Sequence, residues 1–298
     1  MKNIFLLLFF IGIHAISQNV AVVGASSNDP VSFASVAYYK KGMFIVADYA
    51  DNKGKFSLNG RDFDALEISC IGFETKKIDK ADVAEKIFLK EASIDLKEVV
   101  ITSNQTIDIG YSKIKRKKIK AGLGIGEFIQ IAAFIENPFK TPVVIKSFSF
   151  NVVKVTGRPA YRLHLYRKQQ EKNIRGEDIP GEDILVRDLV YFLKENTKGL
   201  VEIDLSEEGI EMPPEGLYMG LEGVGPYDEN GKEEDNGFIP EMFQTFEPIH
   251  CYNYDFPQRS IGWVNNNQRL VSDEKAMNIN VSKKCFIAPS YGLKVYKP

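Results

Sequence analysis

Three features of the sequence predict an all-β chain built as two sandwiches. Short runs of β-prone residues recur along its length. Gly, Pro, Asn and Asp bound these runs at intervals of about ten positions, and few stretches are long and periodic enough for helices. The 298 residues exceed one average domain and suit two of moderate size. A hydrophobic content of 44% beside 26% charged residues is ordinary for a globular chain with a sizeable core. The formal charge of −2 argues against a general nucleic-acid binder, which needs a strongly basic surface.

The first segment is a leader rather than part of the fold. Lys2 precedes the apolar run Ile4 to Ile13, and Ala15-Ile16-Ser17 places small residues at −3 and −1 of a cleavage site. Residues 1–17 therefore read as a signal peptide cut before Gln18, too short to span a bilayer comfortably. No cysteine follows the apolar run, so no lipoprotein anchor is expected. No later segment is apolar enough to cross a membrane as a helix. The expectation is an exported chain, soluble or peripherally attached, in the periplasm or at the outer membrane or cell surface.

Residues 18–102 carry the first sandwich. "NVAVVGA" is followed by Asp29-Pro30, then "VSFASVAYYKKG", "MFIVADYADNKGKFSLNG", "ALEISCIGFETKKIDK", "KIFLKEA" and "LKEVVITS". This is the pattern of a small antiparallel sandwich. "DNKG", Asp51 to Gly54, invites two readings. Acids ahead of a glycine can wrap calcium, but calcium needs six or more oxygens with a bidentate acid near the loop's end. The next acid after Gly54 is Asp62, and Lys53 and Lys55 oppose a cation. A hairpin between "FIVADY" and "KFSL" is therefore expected, with no metal.

Four pieces in order, "PVSFASV" (30–36), "DNKGKFSL" (51–58), "LEISCIGFETKKI" (66–78) and "IFLKEASIDLKEVVIT" (87–102), carry a resemblance. Together the region resembles the carboxypeptidase-regulatory-like domain, which implies a seven-stranded transthyretin-like sandwich. Such domains are common at the N-termini of TonB-dependent outer-membrane transporters and other envelope proteins. The resemblance is to an accessory sandwich and not to a protease. Metallocarboxypeptidases hold zinc with an H-x-x-E pair, whereas His164 is followed at i+3 by Arg167 and His250 by Asn253. Transport is likewise not expected of this chain on its own, because the residues after 102 are too few for a 22-stranded barrel.

Residues 103–120 form the junction. Between Lys113 and Lys120, six of eight positions are basic, in the alternating form "KIKRKKIK". A basic linker or edge strand is expected, since lysines discourage edge pairing. The competing reading is a patch for lipopolysaccharide phosphates or an acidic partner. The glycines of "GLGIGEF" lack both phosphate-loop spacings and read as a glycine-rich lead-in to a strand.

Residues 121–298 read as a larger antiparallel sandwich, jelly-roll-like. Strand-like runs recur in "PVVIKSFSFNVV", "AYRLHLYRK", "ILVRDLVYFL", "GLVEIDLS", "GLYMGLEGV" and the tail "YGLKVYKP". In "YRLHLY", alternation puts Tyr161, Leu163 and Leu165 on one face and Arg162, His164 and Tyr166 on the other. "FIQIAAFIENP", "RLHLYRK", "PGEDIL", "GLVEIDLSEEGIEMP" and "GLYMGLE" together resemble the C-terminal region of a group of uncharacterised exported bacterial envelope proteins. That resemblance implies architecture and location and no activity.

The catalytic motifs are missing. There is no G-x-S-x-G, no H-E-x-x-H and no cysteine with an obviously placed histidine. His164 reads as a surface or satisfied sheet residue. Cys70 lies in an apolar run and reads as a small core residue; Cys251 and Cys285 would be able to pair in an oxidising compartment. "YDENGKEEDNG", residues 227–237, is the best metal candidate, but its spacing departs from the EF-hand and a solvated loop is expected.

The candidate ligand-binding residues are Tyr252, Tyr254 and Trp263, aromatic side chains set among Asn and Gln. Exposed rings with amide neighbours can stack on sugars and hydrogen-bond their hydroxyls; the competing reading is that they fill or cap the core. The expectation is a non-catalytic envelope protein that binds or scaffolds, with a glycan or an envelope protein as partner and without cofactor or nucleic acid. The rivals are a carbohydrate-active enzyme using a carboxylate pair, and a purely structural or adhesin-like component.

Overall fold

The computed structural model describes residues 19–58, 60–92, 104–113, 124–172, 176–225, 237–245, 247, 249–255, 263–265 and 286–298. Residues 1–18, the "EVVIT" segment, residues 114–120, most of the acidic loop and Cys285 lie outside the described residues. Within them the chain is all-β, with no α-helix and two single 3-10 turns, Lys80–Asp82 and Ser206–Glu208.

Seven strands build the first sandwich: β1 (Asn19–Gly24), β2 (Ser35–Lys40), β3 (Met43–Tyr49), β4 (Lys55–Ser57), β5 (Ala65–Ser69), β6 (Lys76–Asp79) and β7 (Lys86–Leu89). They lie in two sheets, ordered β4-β1-β7 and β3-β2-β5-β6. Alternation drives one face of each inward: Val20, Val22, Val36, Tyr38, Leu66, Ile68, Ile87 and Leu89 share one core. Lys41 and Gly42 join β2 to β3, both at positive φ (51° and 74°), the geometry of a two-residue hairpin turn.

Two expectations are corrected here. "DNKG" is a tight turn, but it does not close a β3–β4 hairpin: β3 pairs with β2, whereas β4 pairs with β1 in the opposite sheet. The turn is a corner that carries the chain across the sandwich. Asp51 builds it, accepting the Lys53 and Lys55 amides on Oδ1 at 2.8 Å each. Nor is the sandwich wholly antiparallel. β7 runs parallel to β1, because it arrives from β6 of the other sheet and no hairpin dictates its direction.

The second sandwich uses β8 (Thr106–Gly110), β9 (Ile129–Ile135), β10 (Val143–Thr156), β11 (Ala160–Lys168) and β12 (Pro180–Asp183). Next come β13 (Val190–Phe192), β14 (Gly199–Asp204), β15 (Glu211–Met212), β16 (Leu217–Gly225), β17 (Gly237–Pro240) and β18 (Met242–Thr245). The last are β19 (Cys251–Asp255), β20 (Val264–Asn265), β21 (Phe286–Pro289) and β22 (Tyr291–Tyr296). One sheet runs β14-β10-β22-β8 and the other β12-β11-β16-β9-β19-β20, with β18 pairing β21. The tail strand β22 thus lies inside its sheet, between β10 and β8.

Phe148 of β10 meets Tyr291 of the neighbouring β22 edge-on at 5.4 Å, and Phe150 meets Tyr161 of the facing sheet edge-on across this core at 5.7 Å. Tyr161, Leu163 and Leu165 of β11 point into it with Met219 and Leu221 of β16 and Ile131 and Ala133 of β9. The opposite face of that sheet carries Arg162, His164, Glu222 and Gln130, and this face builds the candidate site.

Candidate functional site

A sheet face turned away from its own core needs a cover, and here the first sandwich supplies part of it. Small residues on β2 and β3, Ala37 and Ala47, let its sheet approach Phe128 and Tyr254 closely. Beside them Phe33 and Tyr49 pack on Ala160 and Val224. Tyr49 stacks on Phe128 at 4.8 Å and 14°. Phe33 and Phe128, one on each side of the contact, both sit at positive φ (56° and 62°), which bulky residues rarely adopt. Such backbone persists only where its surroundings hold it.

Under this cover lies a network of buried charges. Arg162 is 4% exposed and Glu222 5%. Arg162 donates from Nε and Nη2 to the two oxygens of Asp188, at 2.6 and 3.0 Å, and from Nη1 to Glu222 at 2.9 Å. Its Nη2 also donates to the Phe33 carbonyl at 2.8 Å. Phe33, at positive φ, thus contributes a carbonyl as well as its ring to the contact. His164 sits between two carboxylates, with Nδ1 2.6 Å from Asp183 Oδ2 and Nε2 2.9 Å from Glu222 Oε2. From the first sandwich the Tyr49 hydroxyl donates to Glu222 Oε1 at 2.6 Å, and Cys70 Sγ donates to Asp188 at 3.5 Å.

Little hydrogen-bonding capacity is left over. The remaining oxygen of Asp183 takes the Leu165 and Leu185 amides at 3.3 and 3.1 Å. The electrostatics follow from the pairing. Burial favours the uncharged form of Glu222, but the Arg162 charge and the His164 hydrogen bond outweigh it and pull the carboxyl down to about 2. Burial likewise opposes the charge on His164, and the hydrogen bonds to Asp183 and Glu222 overcome it, raising the imidazole to about 9. At neutral pH the cluster holds an imidazolium and a carboxylate that neither gives nor takes a proton easily. Burial, reinforced by Asp188, pushes the Cys70 thiol up to about 12, far from a reactive thiolate.

An aromatic group continues from this cluster along the same face. The Tyr166 ring stacks on His164 at 5.3 Å and 7°, and its hydroxyl accepts from Gln130 Nε2 at 2.6 Å. Trp263, half-buried, lies edge-on to Tyr166 at 5.3 Å and tilted against Tyr254 at 5.0 Å.

The three aromatic candidates therefore divide. Tyr252 is 0% exposed: its ring meets Tyr218 edge-on at 5.5 Å, and its hydroxyl donates to the Asp178 carbonyl. It is buried, not a platform: it shares the outer face of its sheet with Tyr254, but Ala132, Tyr218, Phe134, Ile179 and Trp263 pack around it there. Tyr254 and Trp263 come together and keep partial exposure. Cys251 is a buried free thiol.

Sequence reasoning placed Arg162, His164 and Tyr166 on one face but missed Asp183, Asp188, Glu222 and Tyr49. One signal was available. Glu222 is the lone acid in the apolar run "GLYMGLEGV", and a buried acid requires a cationic partner.

No protein-family model matches the chain, and no curated protein matches it. Among solved structures, it is similar to the cysteine protease and lectin-like domains of Cwp84, a surface layer associated protein of Clostridium difficile. The identity is 8% and the TM-score 0.38, over 90% of this chain and 59% of that one. The chain thus spans 59% of the length of that structure, and likeness at this level assigns neither fold nor function.

Proposed function

We propose that the chain is an exported, non-catalytic envelope protein whose second sandwich binds glycan through the partly exposed rings of Trp263 and Tyr254. The observation that carries the non-catalytic part is the occupancy of the buried acid–base groups. Glu222, Asp183 and His164 are bonded to one another, to Arg162 and to Tyr49. A glycosidase needs two carboxyl groups facing each other across a sugar. Here one imidazole fills the position between Asp183 and Glu222. Export rests on the leader-like residues 1–17, and the envelope setting on the resemblance of residues 20–102 to the carboxypeptidase-regulatory-like domain. No helix among the described residues is long and apolar enough to cross a membrane.

Glycan binding rests on the half-buried Trp263 beside Tyr254, since stacked aromatic rings offer sugars apolar contact. The check is retention of the mature protein on a panel of immobilised envelope polysaccharides, with turnover assayed on the same panel. Retention should fall roughly five- to thirtyfold in Trp263→Ala, the loss of one ring contact of about 1–2 kcal/mol. Turnover of any panel member would overturn the non-catalytic reading. Equal retention of the wild type and Trp263→Ala would overturn the glycan site.

A further inference from the structure

Both ring nitrogens of His164 face carboxylates, Asp183 at 2.6 Å and Glu222 at 2.9 Å. Only an imidazolium donates to both at once, because a neutral ring has one N–H. Glu222 is in turn the residue on which the first sandwich rests: its second oxygen accepts the Tyr49 hydroxyl at 2.6 Å. Its partner Arg162 holds the Phe33 carbonyl at 2.8 Å. The chain of contacts from β12 through β11 and β16 to β3 is continuous.

We propose that protonated His164 is a pH-sensitive latch that keeps the two sandwiches docked, acting through Glu222 on Tyr49 and, by way of Arg162, on Phe33. Losing the proton breaks one of the two carboxylate contacts and adds a net negative charge to the buried cluster. Glu222 then shifts from its place between His164, Arg162 and Tyr49, and the cover formed by β2 and β3 loosens.

The groups that face the latch support one direction. Asp183 (β12) and Glu222 (β16) bind the ring directly. Asp188, on the segment after β12, holds Arg162 and draws on Cys70 beyond β5. Tyr49 (β3) meets Glu222, with the charge of Glu127 nearby, and Tyr166 stacks on the ring with Tyr254 beyond it. Arg162 is the one cation among them and is committed to Asp188 and Glu222. The environment is therefore acidic around the ring, and burial keeps water from screening it. The docked state holds its His164 proton up to about 9, against an ordinary 6.5. Undocking admits water and weakens that hold. Rising pH in this window favours the undocked state by up to about tenfold per unit.

The experiment uses the mature chain. His250 is the only other histidine past residue 17, so His250→Gln leaves a single imidazole for an NMR titration of His164. Hydrogen–deuterium exchange, normalised for the intrinsic rate at each pH, is read over β2 and β3 and compared with β10 and β22. The expected result is a titration well above 6.5, with β2–β3 protection falling in step while β10 and β22 keep theirs. Tyr49→Phe, which removes one cross-sandwich bond, should shrink the step without moving the titration to ordinary values. His164→Gln, where it folds, should show low β2–β3 protection at every pH and no step. A His164 titration at or below the ordinary value would overturn the latch. So would unchanged β2–β3 protection through the titration, or a full step in Tyr49→Phe or His164→Gln.

Discussion

Gly54 shows how much one position can carry. Its φ of 70° lies in the left-handed region, and a Cβ there would stand 2.6 Å from the Val22 carbonyl oxygen. Strain and collision act together, since the Gly54 carbonyl also accepts the Val22 amide at 2.8 Å and backbone gives way poorly. Gly54→Ala should lower stability by roughly 2–3 kcal/mol in urea denaturation. An effect within the error of the wild type would show that the corner is soft. Gly223 answers a different demand: its missing side chain leaves room for Gly126, whose oxygen would be 1.9 Å from a Cβ. The close approach thus requires the glycine at 223, in "GLEGV", whereas a Cβ on Gly126 itself, in "GIGEF", would meet nothing. The letters of both segments were legible as turn and lead-in. What they approach was not, because the approaching backbone is distant in the chain.

At the scale of the element, β11 is the most informative strand. Its alternation divides Leu163 from its neighbours Arg162 and His164, and the division read from the sequence is the one found. The two faces should fail differently. Leu163→Ala opens a cavity in the larger core and should cost roughly 2–5 kcal/mol. Arg162→Met should cost about 3–5 kcal/mol because Asp188 and Glu222 are left buried without their cation. Adding Asp188→Asn and Glu222→Gln to Arg162→Met should then recover part of that loss, whereas it should not help Leu163→Ala. Denaturation of the four variants measures both. Recovery in neither background would mean that Arg162 acts through packing alone. β3 and β4 teach the converse lesson: their strand letters were correct, and the hairpin between them was not, because pairing partners depend on which sheet each strand joins.

For the whole molecule, the buried cluster ties stability to pH at both ends. Glu222 is held at about 2 against an ordinary 4.5, so its contribution is complete above 4.5 and is lost as pH falls toward 2. His164 is held at about 9 against 6.5, so its contribution is complete below 6.5 and is lost as pH rises through 9. Stability should therefore be flat between these limits and decline on either side. Melting temperature across the pH range measures this, and replacing Glu222 with Gln should remove most of its share of the acid limb. An acid limb unchanged in that variant would place its origin elsewhere.

The sequence by itself determined the all-β class, the two-sandwich plan and the inward and outward faces of strands such as β11. Those features depend on side-chain period and turn chemistry, which neighbouring residues carry. Only the tertiary structure decided that Tyr252 is buried while Tyr254 and Trp263 keep partial exposure. It alone brought Tyr49 and Phe33 of one sandwich onto Glu222 and Arg162 of the other. These partners are more than a hundred residues apart in the chain. Their meeting depends on how two finished sheets pack, and no local pattern encodes that.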